Sequence, residues 1–112
     1  MTPTLPPDTE ADRLAYQADQ LVERGLREAA AELYGRAAAI TEHAAAAATG
    51  EPARALLMSN AVILWFKARR FDEAERLASE YLRAGVSPGM RHRLEEVLFE
   101  CGREREQLRR TT

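Results

Sequence analysis

The stretch that decides the fold is GLREAAAELYGRA, residues 25–37, in which small and bulky residues recur at helical spacing. A related stretch, RRFDEAERLASEY, occupies residues 69–81, 44 positions further along. An internal echo of this kind is typical of helix pairs that bury their faces against the neighbouring pair. The sequence therefore predicts a stack of helix pairs, an architecture that offers an extended binding surface and needs no catalytic residue.

Apolar periodicity and Gly/Pro punctuation predict five helices. The first is capped by Asp8 or Thr9 and ends at Gly25, and the second runs from near Arg27 to about Thr49 before a left-handed stop at Gly50. The other three are expected after Glu51-Pro52, from a cap at Asp72 to Gly85, and from Ser87-Pro88 until Gly102 weakens or ends the helix.

The third predicted helix is apolar in almost every direction over residues 56–66. A helix of this kind is buried on more than one side, so we expect it at the centre of the molecule. One of its sides is expected to face the core, and another to meet a neighbour or line a groove.

The chain divides into three predicted segments. Residues 1–8 form a flexible arm, 9–102 a single helical domain, and 103–112 a charged tail that is either a frayed helix or disordered.

Composition restricts the class of protein. The chain has 112 residues with a formal net charge of −2 and interleaved acidic and basic residues, a pattern that argues against a nucleic-acid partner. It lacks an apolar run of membrane-spanning or signal-peptide length. A single cysteine is compatible with a reducing compartment, so we predict a cytoplasmic protein without membrane association.

Candidate catalytic and metal-binding residues do not form a constellation. His43 and His92 are about 50 positions apart, and no serine or cysteine nucleophile can be connected to either of them. Cys101 lies on the apolar stripe of the fifth helix, which favours a small buried hydrophobe over a reactive thiol. We therefore predict no enzyme activity, no metal site and no cofactor.

The spaced residues resemble the tetratricopeptide repeat family, whose unit is a helix, a tight turn and an antiparallel helix. The resemblance covers roughly residues 11–102. In the first repeat it is carried by Leu14, Ala18, Leu21, Gly25, Ala30, Tyr34 and Ala37, and in the second by Met58, Val62, Trp65, Phe71, Ala74 and Tyr81.

The second repeat departs from the family pattern, since Arg69 occupies the turn glycine and Ala78 the usual aromatic position. The first helix of a third repeat carries Leu94, Leu98 and Gly102. The spacing of 44 residues resembles the extended repeats of kinesin light chains. A rival resemblance, to the three-helix microtubule-interacting and trafficking domain, leaves helices four and five without a role.

The resemblance implies an all-α, right-handed superhelical stack in which the first helix of each pair lines a concave face. A peptide or helix of a partner protein would lie there. The residues that it implies for partner binding are Val22, Leu56, Asn60, Ile63, Phe66, Arg93 and Phe99. The alternative is that the apolar residues among them only close a short, tight stack.

Some members of the family clamp a peptide carboxylate with residues from three successive first helices. Asn60 and Arg93 fall at two such positions, but Asp19 in the first repeat would repel a carboxylate, so a complete clamp is not expected. Arg93 is expected instead at the surface or beside Glu96 or Asp19.

Two further functions stay open from the sequence. Helix five has no following helix, so Val97, Phe99 and Leu108 could be buried against a second copy in a homodimer. A small-ligand pocket between helices one, three and five is the other alternative, although no polar set converges on it in the sequence.

Overall fold

Five α-helices account for most of the molecule. The computed structural model describes residues 9–111, and within them there are five helices and no strand. The helices are α1 (Glu10–Glu23), α2 (Arg27–Ala47), α3 (Ala53–Lys67), α4 (Phe71–Ala84) and α5 (Pro88–Arg110). The predicted helix count and the all-α class are confirmed. The predicted arm at residues 1–8 and its candidate cap Asp8 lie outside the described residues.

Two predicted helix starts are confirmed by their caps. The Thr9 hydroxyl accepts a hydrogen bond from the Asp12 backbone N–H at 3.0 Å, and the Ser87 hydroxyl accepts one from the Met90 N–H at 3.3 Å. Pro88 follows Ser87 in the first turn, where its missing N–H leaves no donor unpaired. Each cap satisfies a donor that the helix itself cannot, which fixes where α1 and α5 begin.

The turn at residues 24–26 recurs 44 residues later with nearly the same backbone. The Leu26 N–H donates to the Leu21 carbonyl at 2.9 Å, and the Arg70 N–H donates to the Trp65 carbonyl at 3.0 Å. Each turn also has the second hydrogen bond of a Schellman motif, which spans three residues: the Gly25 N–H donates to the Val22 carbonyl and the Arg69 N–H to the Phe66 carbonyl, both at 2.9 Å. Their left-handed residues are Gly25 at φ 80° and Arg69 at φ 60°. The sequence echo therefore corresponds to a repeated turn, even though an arginine replaces the glycine.

The predicted cap of α4 by Asp72 is wrong. The helix begins at Phe71, and the residue before it, Arg70, makes no side-chain cap hydrogen bond. The Schellman turn leads directly into the helix, because the Ala74 N–H already donates to the Arg70 carbonyl at 3.0 Å. Asp72 instead lies in the first turn, where a carboxylate faces the positive end of the helix dipole.

Two expectations about glycines also differ from the structure. Gly50 is not left-handed, and α2 ends at Ala47 with Ala48 in an extended conformation. Gly102 does not end α5, which continues to Arg110. Part of the predicted charged tail is therefore helical, and it makes ion pairs to the body of the protein, from Arg105 to Glu75 and from Glu104 to Arg69.

The predicted central position of α3 is confirmed. This helix packs against α2, α4 and α5, while α2 also packs against α1. Val62, Leu94 and Cys101 are the largest side chains that are fully buried, and alanines such as Ala18 and Ala74 are buried where helices approach closely. The described residues measure 49 × 36 × 23 Å. None of their helices combines the length and the apolar character needed to cross a bilayer.

Candidate partner-binding surface

Helix α3 supplies a wall to three adjoining depressions. We call them the α3–α5 groove, the α1–α3 groove and the α1–α2–α3 pocket. Their volumes are about 650, 460 and 400 Å³ respectively. Because α3 is the apolar central helix, its exposed residues give all three depressions an apolar component.

The α3–α5 groove combines apolar walls with a charged rim. Ile63 and Phe66 line it from α3, and α5 contributes His92, Arg93, Glu95, Glu96, Val97, Phe99 and Glu100. Phe99 is 66 % exposed. The rim is predominantly acidic, because it carries three carboxylates against one arginine and one histidine.

The α1–α3 groove runs along the other side of α3, over a floor from α2. Asp12 and Ala15 line it from α1, Ile40 and Ala44 from α2, and the α3 wall carries Leu56, Leu57, Asn60, Ile63, Leu64 and Lys67. Leu56 is 63 % exposed. Together with the other apolar residues that line the groove, the exposed Leu56 side chain forms an apolar surface suited to contact with another molecule.

The α1–α2–α3 pocket is organised around Tyr34. The Tyr34 hydroxyl donates a hydrogen bond to the Asp19 carboxylate, and the Lys67 ammonium lies 5.6 Å from the Tyr34 ring centre. Burial, reinforced by the negative charge of Asp19, raises the pKa of Tyr34 to about 12. The phenol therefore stays protonated and joins α1 to α2 across the physiological pH range.

All seven residues predicted for partner binding line one of these depressions. Arg93 and Phe99 line the α3–α5 groove, Leu56 and Asn60 the α1–α3 groove, and Val22 the pocket. Ile63 belongs to both grooves, and Phe66 belongs to the α3–α5 groove and the pocket. The three depressions therefore meet along α3. That a partner binds there stays a prediction.

Five residues of α5 that line the α3–α5 groove are absent from the set predicted for partner binding: His92, Glu95, Glu96, Val97 and Glu100. The family resemblance places one side of α5 on the concave face, whereas the groove extends around a wider arc of this helix. The alternation of acidic residues with Val97 and Phe99 was the available signal in the sequence. It could not be interpreted without knowing which side of α5 meets α3.

The two residues of the incomplete carboxylate clamp stand in different grooves. Asn60 lines the α1–α3 groove and Arg93 the α3–α5 groove. Asp19 is occupied by the Tyr34 hydroxyl, and Glu96 lies 3.3 Å from His92. Other side chains therefore already contact both of the carboxylates with which Arg93 was expected to pair.

A hydrogen-bonded network supports α3 from behind the grooves. The Trp65 indole N–H donates to the Glu42 carboxylate at 2.9 Å, and the Arg76 guanidinium donates to both Glu42 oxygens at 3.2 Å. Hydrogen bonding to Glu73 and the charge of Glu42 raise the pKa of Arg76. Three helices are thereby joined, because these residues belong to α3, α2 and α4.

The two histidines and the cysteine differ in their exposure to solvent. His43 is exposed on α2, and His92 is exposed on α5. Cys101 is fully buried, and that burial raises the pKa of its thiol to about 11. Within residues 9–111 no group of three or more histidine, cysteine or carboxylate side chains is arranged to hold a metal ion.

Comparisons with family models, with curated proteins and with solved structures gave no match for this chain.

Proposed function

We propose that this protein is a non-catalytic interaction module that binds a short segment of a partner protein on the surface formed by α1, α3 and α5. The observation that carries the proposal is the position of Ile63, which lines the grooves on both sides of α3. A ligand lying across α3 would contact both grooves at once. The side chains it would cover are the exposed apolar residues that a folded chain ordinarily keeps few and scattered.

We propose further that the helix pairs belong to a right-handed, tetratricopeptide-like stack with this surface on its concave side. The repeated Schellman turn supports this assignment, because Gly25 and Arg69 occupy the same turn position 44 residues apart. The length of the first repeat has a structural counterpart. Helix α2 has 21 residues and α4 has 14, so two additional turns of helix lie in the first repeat.

The chemistry of the surface indicates the kind of segment that binds. Ile63, Phe66 and Phe99 call for apolar side chains, and the acidic rim of Glu95, Glu96 and Glu100 attracts lysine or arginine. We therefore propose a partner segment that carries basic residues beside apolar ones. An amphipathic helix has this pattern and would lie in the α3–α5 groove in the manner of helix-in-groove recognition, with one end crossing Ile63 to reach Leu56 in the α1–α3 groove.

The test is selection of peptides from a random displayed library against the immobilised full chain, followed by affinity measurements on purified peptides. We expect the selected peptides to combine apolar and basic residues. Leu56→Asp and Phe66→Ala should each weaken their binding at least about tenfold, the effect expected of a central interface residue. Added salt should also weaken binding, because the rim contacts are charged.

Tyr16→Asp is the matched control. Tyr16 is 57 % exposed, close to Leu56 at 63 %, and it lines none of the three depressions. Its replacement should leave peptide affinity unchanged, and circular dichroism should show equal helicity for all variants. Failure to select any peptide, or equal binding by the wild type and the Leu56 and Phe66 variants, would contradict the proposed function.

A further inference from the structure

The side of α5 that faces away from the core carries a row of side chains centred on Phe99. Leu94 and Cys101 are buried and lie on the opposite side of the helix, since successive residues are about 100° apart. Residues three, four and seven positions from Phe99 share its side. We call this row the α5 outer stripe; it consists of His92, Glu95, Glu96, Phe99, Gly102, Arg103 and Glu106.

This geometry corrects the set predicted for self-association. Val97 and Leu108 lie about 160° and 180° around the helix from Phe99. The three residues therefore cannot be buried by one flat contact, and only Phe99 belongs to the α5 outer stripe. Leu108 is 45 % exposed but lies on the same side as Cys101, beyond the point where Arg105 pairs with Glu75.

The first half of the α5 outer stripe, from His92 to Phe99, borders the α3–α5 groove, and every residue of the stripe is exposed except the half-buried Glu106. A shallow groove of about 480 Å³ follows this side of the helix, and every residue that lines it belongs to α5: Leu98, Phe99, Gly102, Arg103, Glu106, Gln107 and Arg110. A Cβ atom added to Gly102 would meet no atom within 4 Å. Gly102 has no left-handed φ either, so the fold of the single chain does not need glycine here.

The charges of the stripe are self-complementary about Phe99. Glu95 and Arg103 lie four residues to either side of Phe99, and His92 and Glu106 lie seven residues to either side. Two such helices running antiparallel, with the Phe99 rings at the centre, would place each carboxylate opposite a cationic or neutral partner. Glu96 would meet Gly102, whose lack of a side chain leaves room for the approach.

We propose that a second copy of this chain binds the α5 outer stripe through its own α5, antiparallel and with the two Phe99 rings on the two-fold axis. In the pairs α1–α2 and α3–α4 the first helix is covered by its successor, and α5 has no successor within residues 9–111. The α5 of the second copy would cover the stripe as an antiparallel helix. The proposal needs no partner in the grooves. Because His92, Glu95, Glu96 and Phe99 also line the α3–α5 groove, a second copy and a partner segment would compete for this part of α5.

The proposal is tested by reversing the charge of Glu95 or Arg103, which would lie opposite each other in the dimer, and measuring self-association of the full chain by analytical ultracentrifugation. The wild type should sediment as a concentration-dependent dimer. Glu95→Arg would place two arginines opposite each other twice per dimer, and Arg103→Glu would do the same with two carboxylates. Each change should raise the dimer dissociation constant at least about tenfold. The double variant E95R/R103E, and an equimolar mixture of the two single variants, should both restore dimerisation.

The matched controls are Glu32→Arg and Arg36→Glu, which make the same charge changes at exposed positions of α2. They should leave the dissociation constant unchanged. A wild type that stays monomeric at the highest soluble concentration would overturn the proposal. So would single variants that dimerise as well as the wild type, or a double variant that dimerises no better than either single one. Arg103 lines neither the α3–α5 groove nor the α1–α3 groove, so its effect is separable from partner binding.

Discussion

At the scale of single residues, the two equivalent turns differ in how well their residue suits a left-handed backbone. Gly25 adopts φ 80° without a Cβ atom to clash, whereas Arg69 adopts φ 60° with a long side chain. A left-handed conformation costs a non-glycine residue about 1–2 kcal/mol. The Arg69 side chain recovers part of this through Phe71, whose ring centre lies 5.3 Å from the guanidinium carbon, and through Glu104 at 3.9 Å.

A reciprocal pair of substitutions tests the equivalence of the turns. Arg69→Gly should raise the free energy of unfolding by about 0.5–1 kcal/mol, because the relief of strain exceeds the loss of an exposed ion pair. Gly25→Ala should lower it by about 1 kcal/mol. Urea unfolding followed by circular dichroism measures both. If Arg69→Gly is destabilising, the second turn is not held in the conformation of the first.

The Glu42 carboxylate links three helices, because it accepts hydrogen bonds from both Trp65 and Arg76. Glu42→Ala leaves a buried indole N–H without its acceptor, so we expect a loss of about 1–3 kcal/mol. Glu42→Gln retains an acceptor and should cost less. The fluorescence of Trp65, the one tryptophan of the chain, should change most in the alanine variant.

Glu73→Ala is the control for this network, since Glu73 pairs with Arg76 but makes no hydrogen bond to Trp65. An ion pair with a partly exposed arginine contributes about 0–1 kcal/mol, so its loss should be small. Equal destabilisation by Glu42→Ala and Glu73→Ala would show that the bond to Trp65 contributes nothing measurable.

At the scale of helices, glycine occurs both at a helix end and inside a helix in this chain. Gly85 follows α4 at φ 90° and ends the helix, as the sequence predicts, whereas Gly102 lies inside α5. Gly102→Ala should therefore raise the free energy of unfolding by about 0.5–1 kcal/mol. Gly85→Ala should lower it by about 1 kcal/mol or more, because alanine is strained at positive φ.

These two variants, measured together by thermal unfolding, test whether α5 continues beyond Gly102. A destabilising Gly102→Ala would mean that the helix ends there, as its position in the sequence suggests. Both variants should be compared at a protein concentration where the chain is monomeric. A self-association equilibrium would otherwise add to the measured stability.

Sequence patterns predicted the helices well because each helix carries its own signals. Ser87 caps α5, and Gly85 supplies a left-handed end to α4. The failures have different physical causes. Asp72 does not cap α4 because the turn that ends α3, with its bond from the Arg70 N–H to the Trp65 carbonyl, already sets the start of the helix. Beyond Gly102 the helix α5 continues, and there Arg105 makes an ion pair with Glu75 of α4 that no local pattern encodes.

At the scale of the whole molecule, the grooves could be predicted only in part. The family resemblance identified seven residues, and each of them lines a depression, because the periodicity of a helix fixes which of its residues share a side. Depth and extent depend on how α3 and α5 cross, which no local pattern encodes. For this reason the acidic rim at Glu95 and Glu100, and the network behind Trp65, emerge only from the folded structure.

The central claim is that the surface around α3 is where a partner segment binds. Its most direct test is a map of backbone amide chemical-shift changes when a peptide selected on the wild-type chain is added to the protein. We expect the largest changes at residues 60–66 of α3 and 93–99 of α5. Largest changes on the outer faces of α2 and α4, at exposed residues such as Glu32 and Arg83, would contradict it.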